Sequence, residues 1–233
     1  MKIRAAGASE FVPVRAFYHS VIDGMAGAEY SPGWKKGIYP SDEDLQTALD
    51  GGTLFVGEED GKLCAAMVVN HDNNDSYAKV AWPTDAKPEE VTVIHMLCVH
   101  PSRAGRGYAK LLVDYALDMA RSGAQKCVRL DVLRGNIPAN RLYEGKGFRY
   151  IDTVTMFYED VCCKGWFSYH LIQHDCGSLV VDEVQLWERS KFKHFHNCKQ
   201  TAEKGARFEI NLRRNGRYIP ARGRFPYSQP CVA

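Results

Sequence analysis

The chain has 233 residues, of which 45% are hydrophobic, and its 30 Lys and Arg residues nearly balance 28 Asp and Glu residues. This composition excludes a globally disordered chain, and the length allows one large domain with a small appendage. The eight cysteines include no Cys-x-x-Cys pair, and the sequence shows neither a signal core nor an apolar run of about 18 residues. We therefore expect a reduced, cytoplasmic protein that does not insert into membranes.

Hydrophobic patterns predict the elements of the first half. Lys2 to Ala6 is a short strand, followed by a helix capped by Ser9 and a second helix capped by Ser41. Residues 53–57 and 62–69 alternate around Glu-Asp-Gly, which is typical of a β-hairpin.

In the second half, the hydrophobic patterns predict an apolar strand, a helix, another strand, a further helix and final strands. The first strand is Val91 to Val99, the helix starts near Tyr108, and the next strand is Cys127 to Val132. This order predicts a mixed α/β fold whose mostly antiparallel central sheet has helices on both faces.

A glycine-rich turn joins Val99 to the helix at Tyr108. Gly105 and Gly107 allow a sharp turn and close approach of a ligand, while the free N–H groups of the helix start favour an anion. The turn lacks the Gly-Lys-Ser/Thr ending of a P-loop and the third glycine of a dinucleotide motif. It predicts a pyrophosphate site of another kind.

Two motifs in order resemble the GNAT family of N-acetyltransferases. The first is the family's acyl-CoA turn, Val-x-Pro-x-x-Gln/Arg-x-x-Gly-x-Gly/Ala, in which Ala104 occupies the Gln/Arg position. The second is Asn-x-x-Ala-x-x-Leu-Tyr-x-x-x-Gly-Phe, which is matched at every named position. The matching residues are Val99, Pro101, Gly107 and Ala109, then Asn136, Ala139, Leu142, Tyr143, Gly147 and Phe148.

The resemblance covers about residues 1–171 and implies acetyl-CoA as the acetyl donor. It also implies that the sheet splays after the fourth strand, where pantetheine would add to the backbone of Leu97, Cys98 and Val99 and would contact Asn136. Backbone N–H groups of the turn would hold the pyrophosphate, and these belong to Ala104, Gly105, Arg106, Gly107, Tyr108 and Ala109.

Three basic side chains near the turn, those of Arg103, Arg106 and Lys110, are placed to neutralise phosphate charge. Ala104 lacks the Gln or Arg side chain that assists in the family. We expect weaker cofactor binding as a result, because backbone donors carry most of such a site.

Tyr143 is the candidate general acid, since the resemblance places it near the CoA sulfur. A phenol with a pKa of about 10 can donate to a thiolate with a pKa of about 8.5. The alternative is a core tyrosine that packs beside Leu142.

His95 is the candidate general base, on the assumption that its side chain shares a strand face with Val93, Leu97 and Val99. Its strand resembles that of arylalkylamine N-acetyltransferases, which carry a His-x-His pair, although Val93 here replaces the first histidine. A hydrogen-bonded core histidine is the alternative.

The acceptor is a primary amine of a small molecule or of a peptide N-terminus. Tyr30, Trp34 and Tyr39 lie where family members build the substrate wall, although an aromatic loop that closes over the core would have the same composition. A non-catalytic acyl-CoA sensor with a basic, partner-binding tail is the competing function.

Residues 172–233 form a basic extension outside the resemblance. Residues 161–233 hold 12 Lys and Arg against 6 Asp and Glu, and the alternation around Asn215-Gly216 predicts a β-hairpin. We expect this extension to pack or to mediate a homodimer, and we do not expect it to bind nucleic acid. Nor do we expect a metal site, because no zinc-finger spacing relates His174, Cys176, His196 and Cys198.

Overall fold

A single mixed sheet organises the first part of the chain. Its strands are β1 (Lys2–Ala5), β2 (Leu54–Glu59), β3 (Lys62–Asn70), β4 (Val91–Val99), β5 (Cys127–Leu133), β6 (Arg149–Glu159) and β7 (Lys164–Asp175). In this computed structural model they lie in the order β1-β2-β3-β4-β5-β7-β6, and each neighbouring pair is antiparallel except β4 and β5, which are parallel. The mostly antiparallel mixed sheet is therefore confirmed.

Two helices cover each face of the sheet, as the hydrophobic patterns predict. The first pair packs on one face over apolar residues such as Val14, Leu45 and Leu54. The second pair packs on the other face, where Leu112 is fully buried against β3 and β5. The helices are α1 (Phe11–Gly24), α2 (Asp42–Asp50), α3 (Tyr108–Ser122) and α4 (Ile137–Glu144).

The two predicted helix caps differ in outcome. The Ser41 hydroxyl accepts the Asp44 N–H at 3.0 Å, and Asp44 accepts the Ser41 N–H at 2.8 Å, so this cap is confirmed. The Ser9 cap is wrong. A 3₁₀ turn occupies Ala8–Glu10, and the Glu10 carboxylate accepts the Gly7 N–H at 2.7 Å instead.

The structure describes residues 1–73, 75–159, 164–176, 207–214 and 217–224. The chain divides into two units, Met1–Cys176 and Gly177–Ala233. Because β7 continues to Asp175, the division falls later than residue 171.

In the second unit, β8 (Arg207–Arg214) and β9 (Arg217–Arg224) pair antiparallel, with Arg214 opposite Arg217. Asn215 and Gly216 stand between the two strands in the sequence, at the centre of the predicted hairpin. Across the described part of the chain, no helix is long and apolar enough to span a membrane.

Candidate active site

An opening in the sheet separates β4 from β5. The two strands pair only from Val91 to Val93 with Cys127 to Arg129, after which they diverge. β4 continues to Val99 along β3, so its other edge has no strand partner among the described residues beyond Val93. The expected splay after the fourth strand is therefore confirmed. A free strand edge of this kind can bind an extended chain of amides.

A β-bulge at Met96 changes which side chains face this opening. Met96 has a φ of +51°, and the register with β3 shifts between Ala66 and Val68. The Tyr18 hydroxyl fixes the bulge by donating to the Met96 carbonyl at 3.1 Å.

The extra residue reverses the alternation of side chains beyond the bulge. Leu97 and Val99 pack on the α3 side, whereas Met96 and Cys98 join the core under α1 and α2. His95 lies opposite Val68 and shares the α1 side with that residue. The expectation that His95 shares a face with Leu97 and Val99 is therefore wrong.

The turn after β4 presents backbone donors at the start of α3. Gly105 and Gly107 have φ values of +76° and +77°, which a residue with a Cβ rarely adopts. The Ala104 N–H already donates to the Pro101 carbonyl at 3.1 Å, so the first of the expected donors is used within the turn. The three residues before the helix start, Gly105, Arg106 and Gly107, are exposed. Their contact with pyrophosphate stays a prediction.

Glu59, at the end of β2, gathers the polar side chains of this turn. Its carboxylate accepts from Arg103 at 2.9 Å, from Arg106 at 3.3 Å, and from the Tyr108 hydroxyl. The Tyr108 hydrogen bond and then the two arginines lower the pKa of Glu59. Lys110, the third predicted phosphate ligand, is exposed. Both arginines are thus near the turn, but each has an anionic partner within the chain.

His95 has a defined tautomer. Its Nε2 lies 3.0 Å from Oδ1 of Asn70 and 3.1 Å from the carbonyl oxygen of Asp72. A carbonyl oxygen only accepts, so Nε2 carries the proton and Nδ1 keeps its lone pair. Burial lowers the pKa of His95, although the negative charge of Asp131 opposes this shift. Because the pKa is lowered from 6.5, the imidazole is neutral at pH 7. Such a ring can accept a proton at Nδ1.

Tyr143 is buried on α4, with only 6% of its surface exposed. Its ring packs edge-on against Phe148 at 5.5 Å between centroids, and within the described residues its hydroxyl makes no hydrogen bond. Burial and then the negative charge of Asp131 raise the pKa of Tyr143, so the hydroxyl keeps its proton. This state is the one that a general acid requires.

Asp131 is a candidate site residue that the sequence motifs do not indicate. It lies half-buried on β5, where the Tyr77 hydroxyl donates to its Oδ1 at 2.8 Å. Burial raises the pKa of Asp131, and its charge in turn acts on both His95 and Tyr143. The available signal was the placement of Arg129 and Asp131 two positions apart in an otherwise apolar strand, which directs both to one face.

Arg129 fixes the segment that carries Tyr77. Its buried guanidinium donates to the Thr84 carbonyl at 2.9 Å and to Gln173 Oε1 at 3.0 Å. It also lies 4.2 Å from the ring centre of Trp82, in a cation–π contact. The Trp82 indole donates to the Tyr77 carbonyl at 2.8 Å. Residues 77–84 are therefore attached to the sheet beside Asp131.

Asn136 caps α4, because its Oδ1 accepts the Ala139 N–H at 3.3 Å. The side-chain amide nitrogen of Asn136 donates to no acceptor among the described residues, and its contact with pantetheine stays a prediction.

The aromatic loop packs in part on the core. Trp34 lies 6.0 Å from Tyr18 and 6.1 Å from Tyr39 between ring centres, and both loop residues pack on the cluster under α1 and α2. Tyr30 is partly exposed. Closure over the core accounts for Trp34 and Tyr39, and a role of the three rings in acceptor binding stays a prediction.

In the described ranges, no group of three or more His, Cys, Asp or Glu side chains could hold a metal ion. His174 and Cys176 belong to those ranges, whereas His196 and Cys198 lie outside the described residues.

The splayed sheet, the glycine turn and a protonated tyrosine near the opening are the features expected of an acetyltransferase. The model of the acetyltransferase (GNAT) family matches residues 23–148, and the chain belongs to that family.

Solved structures share the fold at low sequence identity. A GNAT-family acetyltransferase from Streptococcus agalactiae is 18% identical, with a TM-score of 0.61, over 76% of this chain and 96% of that chain. A Salmonella typhimurium protein described as an acetyltransferase, solved with its cofactor acetyl-CoA, is 15% identical, with a TM-score of 0.56, over 76% and 95%. The ribosomal-protein-S18-alanine N-acetyltransferase of Escherichia coli is 16% identical, with a TM-score of 0.53, over 76% and 94%. Comparison with proteins of curated function gives no significant match.

Proposed function

We propose that this chain is an acetyl-CoA-dependent N-acetyltransferase that acetylates a primary amine, by direct attack, in a ternary complex. The observation that carries the proposal is a pair of groups close to Asp131 at the opening of the sheet, Nδ1 of His95 and the hydroxyl of Tyr143. Neither group has a hydrogen-bond partner among the described residues, and burial lowers the pKa of His95 and raises the pKa of Tyr143, which favours a neutral imidazole and a protonated phenol. An amine acetylation needs one group to accept a proton and another to donate one.

The donor site is the free edge of β4 together with the glycine turn. Acetyl-CoA, when bound, supplies the acetyl group as a thioester. The N–H groups from Gly105 onward suit its pyrophosphate, and the edge of Leu97 to Val99 suits the amides of pantetheine. The structure with acetyl-CoA among the similar folds supports this choice of donor.

His95 and Tyr143 have complementary roles. Nδ1 of His95 accepts the proton of the acceptor amine, directly or through one water, while Nε2 stays bonded to Asp72. Tyr143 donates its proton to the departing thiolate of CoA. Direct attack is favoured over a thioester on the enzyme, because Cys98 of β4 packs into the core and burial raises the pKa of its thiol.

The test is formation of free CoA from acetyl-CoA, followed by chromatography, while a panel of acceptors is offered. The panel contains alkyl amines, aryl amines and short peptides with free N-termini, since one similar fold belongs to an enzyme named for an N-terminal alanine. We expect amine-dependent CoA release with at least one class. Tight CoA binding without turnover across the whole panel would instead favour an acyl-CoA sensor.

A further inference from the structure

Asp131 faces His95 across the opening between β4 and β5. Val93 and Arg129 form the last parallel pair, so His95 and Asp131 are the next residues of the two strands on the same face. In a continuous sheet these side chains would be neighbours. Because the strands diverge beyond this pair, the two side chains lie at the space that widens between the strands, close enough for the charge of Asp131 to act on the pKa of His95.

Among the described residues, the carboxylate of Asp131 has no cationic hydrogen-bond or ion-pair partner. Its one side-chain hydrogen bond in the described part of the chain comes from the neutral hydroxyl of Tyr77, and no Lys, Arg or His of that part forms an ion pair with it. The neighbouring Arg129 is bound to Thr84 and Gln173 instead. A half-buried negative charge without a counter-ion is costly, so a cation entering this space would be stabilised.

We propose that Asp131 binds the ammonium group of the acceptor and thereby selects amines that are cationic in solution. The proposal rests on the proposed function and names its substrate class, a primary alkyl amine. The ammonium group would lie between Asp131 and Nδ1 of His95, where the imidazole can take its proton before the amine attacks.

The position of Asp131 is fixed before any ligand arrives. The Tyr77 hydroxyl occupies Oδ1, and the Tyr77 ring lies 5.4 Å from that of Trp82, which in turn covers Arg129. These contacts hold the carboxylate at the opening. Oδ2, which accepts no hydrogen bond from a side chain of the described residues, is left for the ammonium group.

The test measures binding of a cation and of its neutral counterpart. Hexylamine and 1-hexanol are titrated by calorimetry into protein saturated with desulfo-CoA, so no reaction occurs. Asp131→Asn removes the charge but keeps an oxygen for Tyr77, and Asp131→Ser is a second uncharged variant. Asp118→Asn, on the exposed side of α3, is the matched control.

We expect both Asp131 variants to weaken hexylamine binding by about tenfold or more, with hexanol binding within about twofold and the control unchanged. Equal losses for amine and alcohol, or no loss for the amine, would overturn the proposal. Turnover of aniline but not of hexylamine by the wild-type protein would also overturn it, and would leave the acetyltransferase function standing. Hexylamine binding that depends on Asp131, without turnover of any amine, would refute only the proposed function.

Discussion

Replacing Tyr143 with phenylalanine removes one hydroxyl and little else. The Tyr143 hydroxyl has no hydrogen-bond partner among the described residues, and the ring contact with Phe148 survives the change. No buried donor or acceptor loses its partner, so the free energy of unfolding should change by less than about 0.5 kcal/mol.

The same change should lower kcat by about 100-fold. General acid catalysis contributes about 10²- to 10⁴-fold, and the lower end applies because a thiolate with a pKa of about 8.5 can leave without a proton at an appreciable rate. The Kd for CoA should stay within about twofold, since the missing hydroxyl acts only as the sulfur departs. CoA formation gives kcat, and calorimetry gives the Kd.

Tyr115→Phe is a matched control. Tyr115 lies on α3, with its ring 5.5 Å from that of Phe55, away from the opening between β4 and β5. It should keep wild-type kcat. A Tyr143→Phe variant that keeps more than about a third of wild-type kcat would refute the assignment of Tyr143 as the acid, and a parallel loss of thermal stability would refute the packing argument.

Three further predictions follow from the same structure. Because burial lowers the pKa of His95 below its ordinary 6.5, wild-type kcat/KM should fall only as the pH drops through a value below 6.5, and His95→Gln should abolish that pH dependence. Between the lowered pKa and 6.5, His95 binds more protons in the unfolded chain than in the folded protein. Its contribution to the free energy of unfolding is therefore present above pH 6.5 and is lost as the pH falls through the lowered pKa. Melting curves of the wild-type and His95→Gln proteins at several pH values would show this loss. Gly107→Ala should cost about 1 kcal/mol of stability and raise the Kd for CoA several-fold, because a φ of +77° strains alanine; unchanged calorimetry would contradict this. Leu112→Ala, at a fully buried site, should cost about 2–5 kcal/mol in urea unfolding, and a loss under about 1 kcal/mol would disprove its place in the core.

The regular elements could be predicted because local signals specify them. The start of α3 at Tyr108 follows from glycines and apolar periodicity, and the Ser41 cap follows from the Ser-x-x-Asp spacing. The Ser9 cap failed because the Glu10 carboxylate accepts hydrogen bonds from the Gly7 N–H and from Arg4. The position of Arg4 depends on the pairing of β1 with β2, which no local pattern shows.

The candidate site was harder to predict from the sequence than the regular elements, for two physical reasons. The bulge at Met96 changes the face of every later residue of β4, yet nothing in an apolar run marks a positive φ. The contact of Tyr77 with Asp131 joins a polar loop to a strand 54 residues away, and such pairing has no local pattern. The motifs located Tyr143 and the glycine turn, but they carried no information on the Asp131 carboxylate of β5.

Glu59 gives the glycine turn an anion of its own. An arginine that turns toward an incoming phosphate must give up part of its contact with Glu59, so binding exchanges one ion pair for another. The gain in Coulomb energy is then smaller than two arginines would suggest, and the uncharged N–H groups at the start of α3 contribute a larger share of the affinity. Neutral donors have no counter-ions to release. The affinity of this turn for a phosphate ligand should therefore respond only weakly to ionic strength.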